Sequence, residues 1–166
     1  MKKTIEDVIA EAAIKDVQIR YCRANDRMDF DLLRSCFHPD ATIEFGIFRG
    51  GVDDMVQAAR TMLPTFLVTT HNTGNQAVDV HGDSAWAEHY AVASHRLAAD
   101  EHGPLRDFVT AVRYIDRMEC RQGDWRIAAR KLVLDWTRTD PVPDAPPDPD
   151  VPRGQRDNSD PSYSMP

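Results

Sequence analysis

Cysteine, basic charge and long apolar runs are what this chain has little of. Its three cysteines, Cys22, Cys36 and Cys120, show no CxxC spacing, which excludes a disulfide framework and a zinc-binding cysteine set. Cys22 and Cys36 fall on the apolar stripes of helical segments and read as buried thiols. Acidic residues outnumber basic ones, 27 to 20, for a formal charge of -7, so the basic footprint of a nucleic-acid or anionic-membrane binder is missing. No stretch approaches the roughly 18 consecutive apolar residues of a membrane span. The start, MKKTIEDVIAEAAIKD, lacks the apolar core of a secretory signal, and the expectation is a soluble cytoplasmic protein. GxGxxG, P-loop, GxSxG and HExxH motifs are all missing, which removes the commonest nucleotide, hydrolase and metalloprotease signatures.

What is present divides the 166 residues in two. Eight of the eleven prolines lie in the last 26 residues, and residues 140–166 carry six aspartates against Arg153 and Arg156. Proline fixes φ and lacks an N–H, so this Pro/Asp-rich segment forms neither helix nor central strand. It reads as a solvated tail or as an extended arm. The remaining residues 1–139 carry -3 and suffice for one domain.

Within that body, Thr4 and Asp7 form a capping-box pattern, and Ile5, Val8, Ile9, Ala12, Ala13, Val17, Tyr21 and Ala24 recur at helical spacing for about five turns. A second helix is expected over 30–37, ended by His38-Pro39-Asp40, then a strand over 41–45, a break at Gly50-Gly51 and a third helix over 52–63. Strands follow over 67–80, 85–98, 107–120 and 125–138, joined by short turns rich in Gly and Asp. Helices first and strands after imply an α+β fold, a curled antiparallel meander covered by three helices, with a pocket between the layers.

Three polar residues stand out. Asp26 closes the first helix, where the helix dipole disfavours a carboxylate, although a solvated loop residue fits equally on local grounds. His71 lies mid-strand in the polar run TTHNTGN. Arg130 alternates with Ala128, Leu132, Leu134 and Trp136, so it needs an anionic partner, a bound ligand or a place at the rim. His89 and His95 share a strand face with no carboxylate in view. They read as hydrogen-bonded wall residues, with a metal site the less specific alternative.

The segments YCRANDRMD, HPDATIEF, TTHNTGN and GDWRIAARKL, in this order, resemble the SnoaL-like family of the nuclear transport factor 2 superfamily over about residues 5–138. The resemblance implies a cone-shaped, strongly curved antiparallel sheet under three helices. Its nearest members are the cofactor-free lyases: scytalone dehydratase, hexachlorocyclohexane dehydrochlorinase and bile-acid 7α-dehydratase. On that likeness Asp26 and His71 match a catalytic dyad, and Arg130, five residues after Trp125, matches the dehydrochlorinase arginine. Tyr21 stands where the dehydrochlorinase has lysine and the bile-acid enzyme has tyrosine, which favours an oxygen leaving group.

The implied reaction is a proton abstraction and elimination, either dehydration or C–C cleavage releasing a small carbonyl fragment. It needs no cofactor and no metal, and its substrate is a hydrophobic aromatic or polycyclic alcohol. Expected pocket walls are Phe45, Phe48, Met62, Phe66, Tyr90 and Trp136. An isomerase or polyketide cyclase using the same base, and a binding or assembly module such as an oxygenase small subunit, are the other readings. The resemblance also implies a homodimer or homotrimer, and the extended Pro-rich tail, which lies outside the resemblance, is long enough to cross to a neighbour.

Overall fold

The computed structural model describes residues 3–46, 48–143 and 148–164. Asp144, Pro146, Pro147 and Pro166, part of the composition that marks out the tail, therefore lie outside the described residues.

Helix α1 spans Ile5–Arg27 and starts on the expected capping box, with Thr4 and Asp7 each bonding the other's backbone N–H. It stops where Met28 adopts a left-handed conformation (φ 50°) and turns its N–H back to the carbonyls of Ala24 and Asn25. Helix α2 is a short Phe30–Ser35, capped by the Asp29 carboxylate on the Leu32 N–H. Strand β1 then runs Phe37–Phe45, through the segment expected to end the helix. Gly50-Gly51 does not break the chain but closes a four-residue strand, β2 (Phe48–Gly51), hairpinned onto β1. Helix α3 covers Val52–Met62 with Val52, Met55, Val56 and Ala59 buried.

Four long strands complete the fold: β3 (Val68–His81), β4 (Ser84–Leu97), β5 (Arg106–Arg121) and β6 (Asp124–Pro141). The β5–β6 turn places both Gln122 (φ 57°) and Gly123 (φ 84°) at positive φ, the twist that favours a tight hairpin. The sheet order is β2-β1-β6-β5-β4-β3, and β1 pairs with β6 in parallel, so the sheet is mixed rather than a pure antiparallel meander. That pairing joins residues about 90 positions apart and leaves no trace in local periodicity. The α+β cone itself is as expected. Among the described residues no helix is long and apolar enough to cross a membrane.

The core lies between the helices and the concave sheet face. Ile14, Val17, Leu33, Phe37, Val52, Leu63, Met118 and Ile127 are all buried there, as are Cys22 and Cys36. Burial pushes the Cys36 thiol up to about 11, as suits an inert core cysteine.

The start of β3, the end of β4, the start of β5 and the end of β6 make up one rim of the cone. The described tail packs on this rim and on α1 of its own chain. Arg156 donates to the carbonyls of Leu63 (2.8 Å) and Phe66 (2.6 Å) and to the Thr69 hydroxyl (3.3 Å). Asp160 meets Arg27 at 3.4 Å, and the Tyr163 hydroxyl donates to Asp29 at 3.2 Å beneath the Arg23 guanidinium.

Candidate active site

The last turn of α1 and the first third of β3 bring Asp26 and His71 together. The ring nitrogen Nδ1 of His71 lies 2.7 Å from Asp26 Oδ1, and the backbone N–H of His71 donates to Oδ2 at 2.9 Å. One carboxylate thus holds both the ring and the main chain of one residue. An ionised carboxylate can only accept, so Nδ1 carries a proton and Nε2 is the ring nitrogen left for other chemistry. The side chains are 7% and 14% exposed, buried enough to strengthen the pair but not sealed.

Around the dyad stand His95, Phe66 and Thr73. The His95 ring meets that of His71 edge-on at 5.6 Å and packs against Phe66 at 4.8 Å. Its Nδ1 faces the Phe108 carbonyl at 3.3 Å, which fixes the neutral tautomer with Nε2 as acceptor. Burial, reinforced by the neighbouring His71, lowers its proton affinity and keeps it neutral. Thr73, two residues beyond His71 on the same face, donates to the Cys22 thiol at 3.2 Å.

Deeper in the cone lies a fully buried ion pair. Arg130 is bound to Asp116 through Nε and Nη2, both at 2.7 Å, and both side chains are fully buried. The guanidinium lies over the rings of Tyr21 (4.1 Å) and Tyr114 (4.6 Å), and Tyr21 meets Phe37 and Tyr114 edge-on. The anionic partner expected for Arg130 is Asp116, one strand away at the paired position of β5. Asp116 could have been found by parity, since Tyr114 and Asp116 fall on one face of a strand of period two.

His89 belongs to this inner cluster. It is fully buried and stacked on Tyr114, with Nδ1 3.9 Å from Asp116 Oδ2. Burial, aided by the Arg130 charge, pushes its pKa down to about 3. The expectation of a face without carboxylates is therefore corrected, because a neighbouring strand supplies the one that a single strand lacks. The Nη1 of Arg130 and both ring nitrogens of His89 are buried without a hydrogen-bond partner.

The wall residues divide. Phe45 and Phe48 pack against the core beside Tyr114, and Phe66 lies beside His95. Tyr90 (45% exposed) and Trp136 (46%) point away from the pocket, correcting their assignment as walls. Tyr90 follows the inward His89, so alternation turns it outward. Trp136 pairs with Ala111 while Leu134 pairs with Val112. This register shift moves Trp136 to the face opposite Arg130. Met62, 52% exposed, ends α3 outside the buried stripe and is no wall either.

The fold recurs in solved structures. A hexachlorocyclohexane dehydrochlorinase from Novosphingobium barchaimii superposes with a TM-score of 0.73 at 19% identity, covering 84% of this chain and 97% of that one. A proposed scytalone dehydratase from Novosphingobium aromaticivorans gives 0.72 at 21% identity, with 88% and 97% covered. A Kribbella flavida protein gives 0.70 at 24%, with 76% and 91% covered. No curated protein matches the chain. The family model of the SnoaL-like domain matches residues 6–131, a span that contains Tyr21, Asp26, His71 and Arg130, and the chain belongs to the SnoaL-like domain family.

Proposed function

We propose that the protein is a cofactor-independent lyase that dehydrates a hydrophobic aromatic or polycyclic alcohol, with His71 as the base. The carrying observation is the two-point bond between Asp26 and His71, which fixes Nδ1 against the carboxylate and leaves Nε2 as the ring nitrogen turned to other partners. Nε2 removes the proton from a carbon next to an activating carbonyl, and the C–H electrons move into the ring or enolate system. The carbon–carbon double bond then forms as the neighbouring C–O bond breaks. The hydroxide leaves with the proton returned from the imidazolium, so one water is released and His71 regains its starting form. Asp26 stabilises the imidazolium in between.

Arg130 Nη1, buried without a protein partner, supports a role for Arg130 and Tyr21 as stabilisers of the developing oxyanion. Phe45, Phe48 and Phe66 supply the apolar lining. The half-exposed Trp86, Tyr90 and Trp136 support assembly as a homodimer or homotrimer.

The test is a panel of aromatic and polycyclic alcohols bearing a carbonyl beside the abstracted proton, followed by mass spectrometry. Loss of the mass of water, abolished in both His71→Ala and Asp26→Asn, is the expected result. A product of unchanged mass would instead make the protein an isomerase or cyclase, and full turnover by His71→Ala would end the dyad reading.

A further inference from the structure

Beside the dyad, the tail and the cone rim form a groove of about 830 Å³ whose lining includes Arg27, Arg96, Arg153 and Arg156 and, among the described residues, no aspartate or glutamate. In a chain with an excess of acidic residues, and a tail more acidic still, that segregation is unexpected. Arg153 and Arg156 are the only basic residues of the tail, and both face this groove.

The four charges are not equally neutralised. Arg96 is held by Asp107 through two 2.8 Å bonds, and Arg27 lies 3.4 Å from Asp160. Arg156 gives Nη1 and Nη2 to two carbonyls and a hydroxyl, all uncharged, and its buried Nε has no partner among the described residues, so its charge stays. The carboxylate that reaches Arg156 electrostatically is Asp26, already committed to His71. Among the described residues Arg153 makes no ion pair. The same groove is walled by Leu67 and Val68, both about half exposed, and by Leu105 and Val142. An apolar wall beside uncompensated guanidinium groups suits an amphipathic anion, since arginine binds carboxylate and phosphate through paired N–H donors.

The groove is also in reach of the chemistry. Arg27 follows Asp26 directly, and Thr69 and Thr70 immediately precede His71. Its volume falls within the roughly 300–1,000 Å³ of small-molecule sites.

We propose that this groove seats an acidic substituent of the substrate, a carboxylate, sulfate or phosphate on an otherwise apolar ring system, while the ring reaches the dyad. The proposal rests on the lyase reading and narrows it to amphipathic acids, with Arg153 and Arg156 of the tail as the specificity determinants.

The test uses the full chain and a pair of dyes, 8-anilinonaphthalene-1-sulfonate and its uncharged parent N-phenyl-1-naphthylamine, titrated by fluorescence. The sulfonate is expected to bind at least about tenfold tighter than the parent, with the preference shrinking as salt is raised. Arg153→Gln lowers the preference about threefold or more, and Arg153→Gln with Arg156→Gln removes it. Because Arg156 also anchors the tail, Arg153→Glu provides an independent arm: Arg153 is exposed and makes no side-chain hydrogen bond among the described residues, so the change should reverse the preference with the tail still docked. Equal affinity for the two dyes, or a preference that survives both arms, overturns the inference.

The two readings fail separately. If the dye preference is missing while His71→Ala still abolishes turnover of a neutral alcohol, the groove inference falls and the dyad stands. If the preference is intact while turnover ignores His71→Ala, the dyad falls and the groove remains an anion site.

Discussion

The cone holds two carboxylate–nitrogen pairs, Asp26–His71 near the rim and Asp116–Arg130 at its centre, and they are built for opposite ends. At the rim the nitrogen partner is an imidazole, a group that can take up and release a proton, and both side chains keep some exposure. At the centre the partner is a guanidinium, which does not release its proton, and exposure falls to zero. Asp26 spends its second oxygen on the His71 backbone, fixing the ring against β3, whereas Asp116 gives both oxygens to one cation. In the proposed reaction the rim pair would transfer a proton, and the central pair would hold a fixed charge for the oxyanion. The difference comes from the partner's chemistry and depth, because the carboxylates are alike.

The comparison breaks most sharply at His71. His71→Ala should lower turnover by about 10²–10⁴-fold, the usual worth of a general base, while thermal unfolding shifts little. Asp26→Asn should lose most of the same factor, because an amide can hold the ring in the wrong tautomer. Turnover and thermal melts on the same preparations check both. A large loss of stability alongside the loss of rate would make the pair structural.

At the centre the order of effects reverses. Arg130→Met strands the Asp116 carboxylate in the core and should cost about 3–5 kcal/mol of folding stability, read by denaturant unfolding. Arg130→Met with Asp116→Leu should recover most of that loss, since two apolar groups replace the pair without leaving a charge, yet turnover should stay impaired. Recovery of rate along with stability would remove Arg130 from the mechanism.

How much of this was legible depends on whether a feature is local. Helix α1, its cap and the four long strands follow from periods of 3.6 and 2, and the structure keeps their bounds within a few residues. Strand β2 was not legible, because Gly50 and Gly51 look like a break until β1 supplies a partner. The same holds for the parallel β1–β6 pairing, whose contacts are set by topology. Asp26, His71 and Arg130 were visible as residues out of place, but the two-point geometry belongs to the meeting of α1 and β3. Trp136 misled because one bulge inverts everything beyond it. Asp116 and His89 were recoverable, since each shares inward parity with small or aromatic neighbours along its own strand.

A smaller effect follows from His89. Its pKa in the fold, about 3, lies below the ordinary histidine value, so the unfolded chain binds the extra proton between about pH 6.5 and 3. Stability should therefore be full above pH 6.5 and fall as the pH drops through that window, by roughly 3 kcal/mol at pH 4. His89→Phe keeps the stacking on Tyr114 and removes the titration, so its melting temperature should fall less between pH 7 and pH 4. Unchanged acid sensitivity would assign that loss to His38 and His95, whose proton affinities burial also lowers.

The smallest effect concerns the rim alone and asks what fastens the tail to it. Asp160 collects the Ser162 hydroxyl, the backbone N–H groups of Gln155 and Ser162, and the Arg27 guanidinium. The Ser162 hydroxyl and those N–H groups pull its carboxyl down to about 2. A depressed carboxyl contributes above its unfolded value and loses that contribution as pH falls through about 2, so docking should persist across the whole working range. Asp160→Ala removes the hub and leaves the core untouched. Limited trypsin digestion should then cut after Arg153 and Arg156 several-fold faster, while the melting temperature of the domain stays put. Turnover of an acidic substrate should drop through KM, since the loosened strand carries the groove arginines, whereas a neutral alcohol should be processed as before. Equal loss on both substrates would mean that the tail serves the dyad itself, and the division between a proton-moving rim and a charge-holding centre would have to include it.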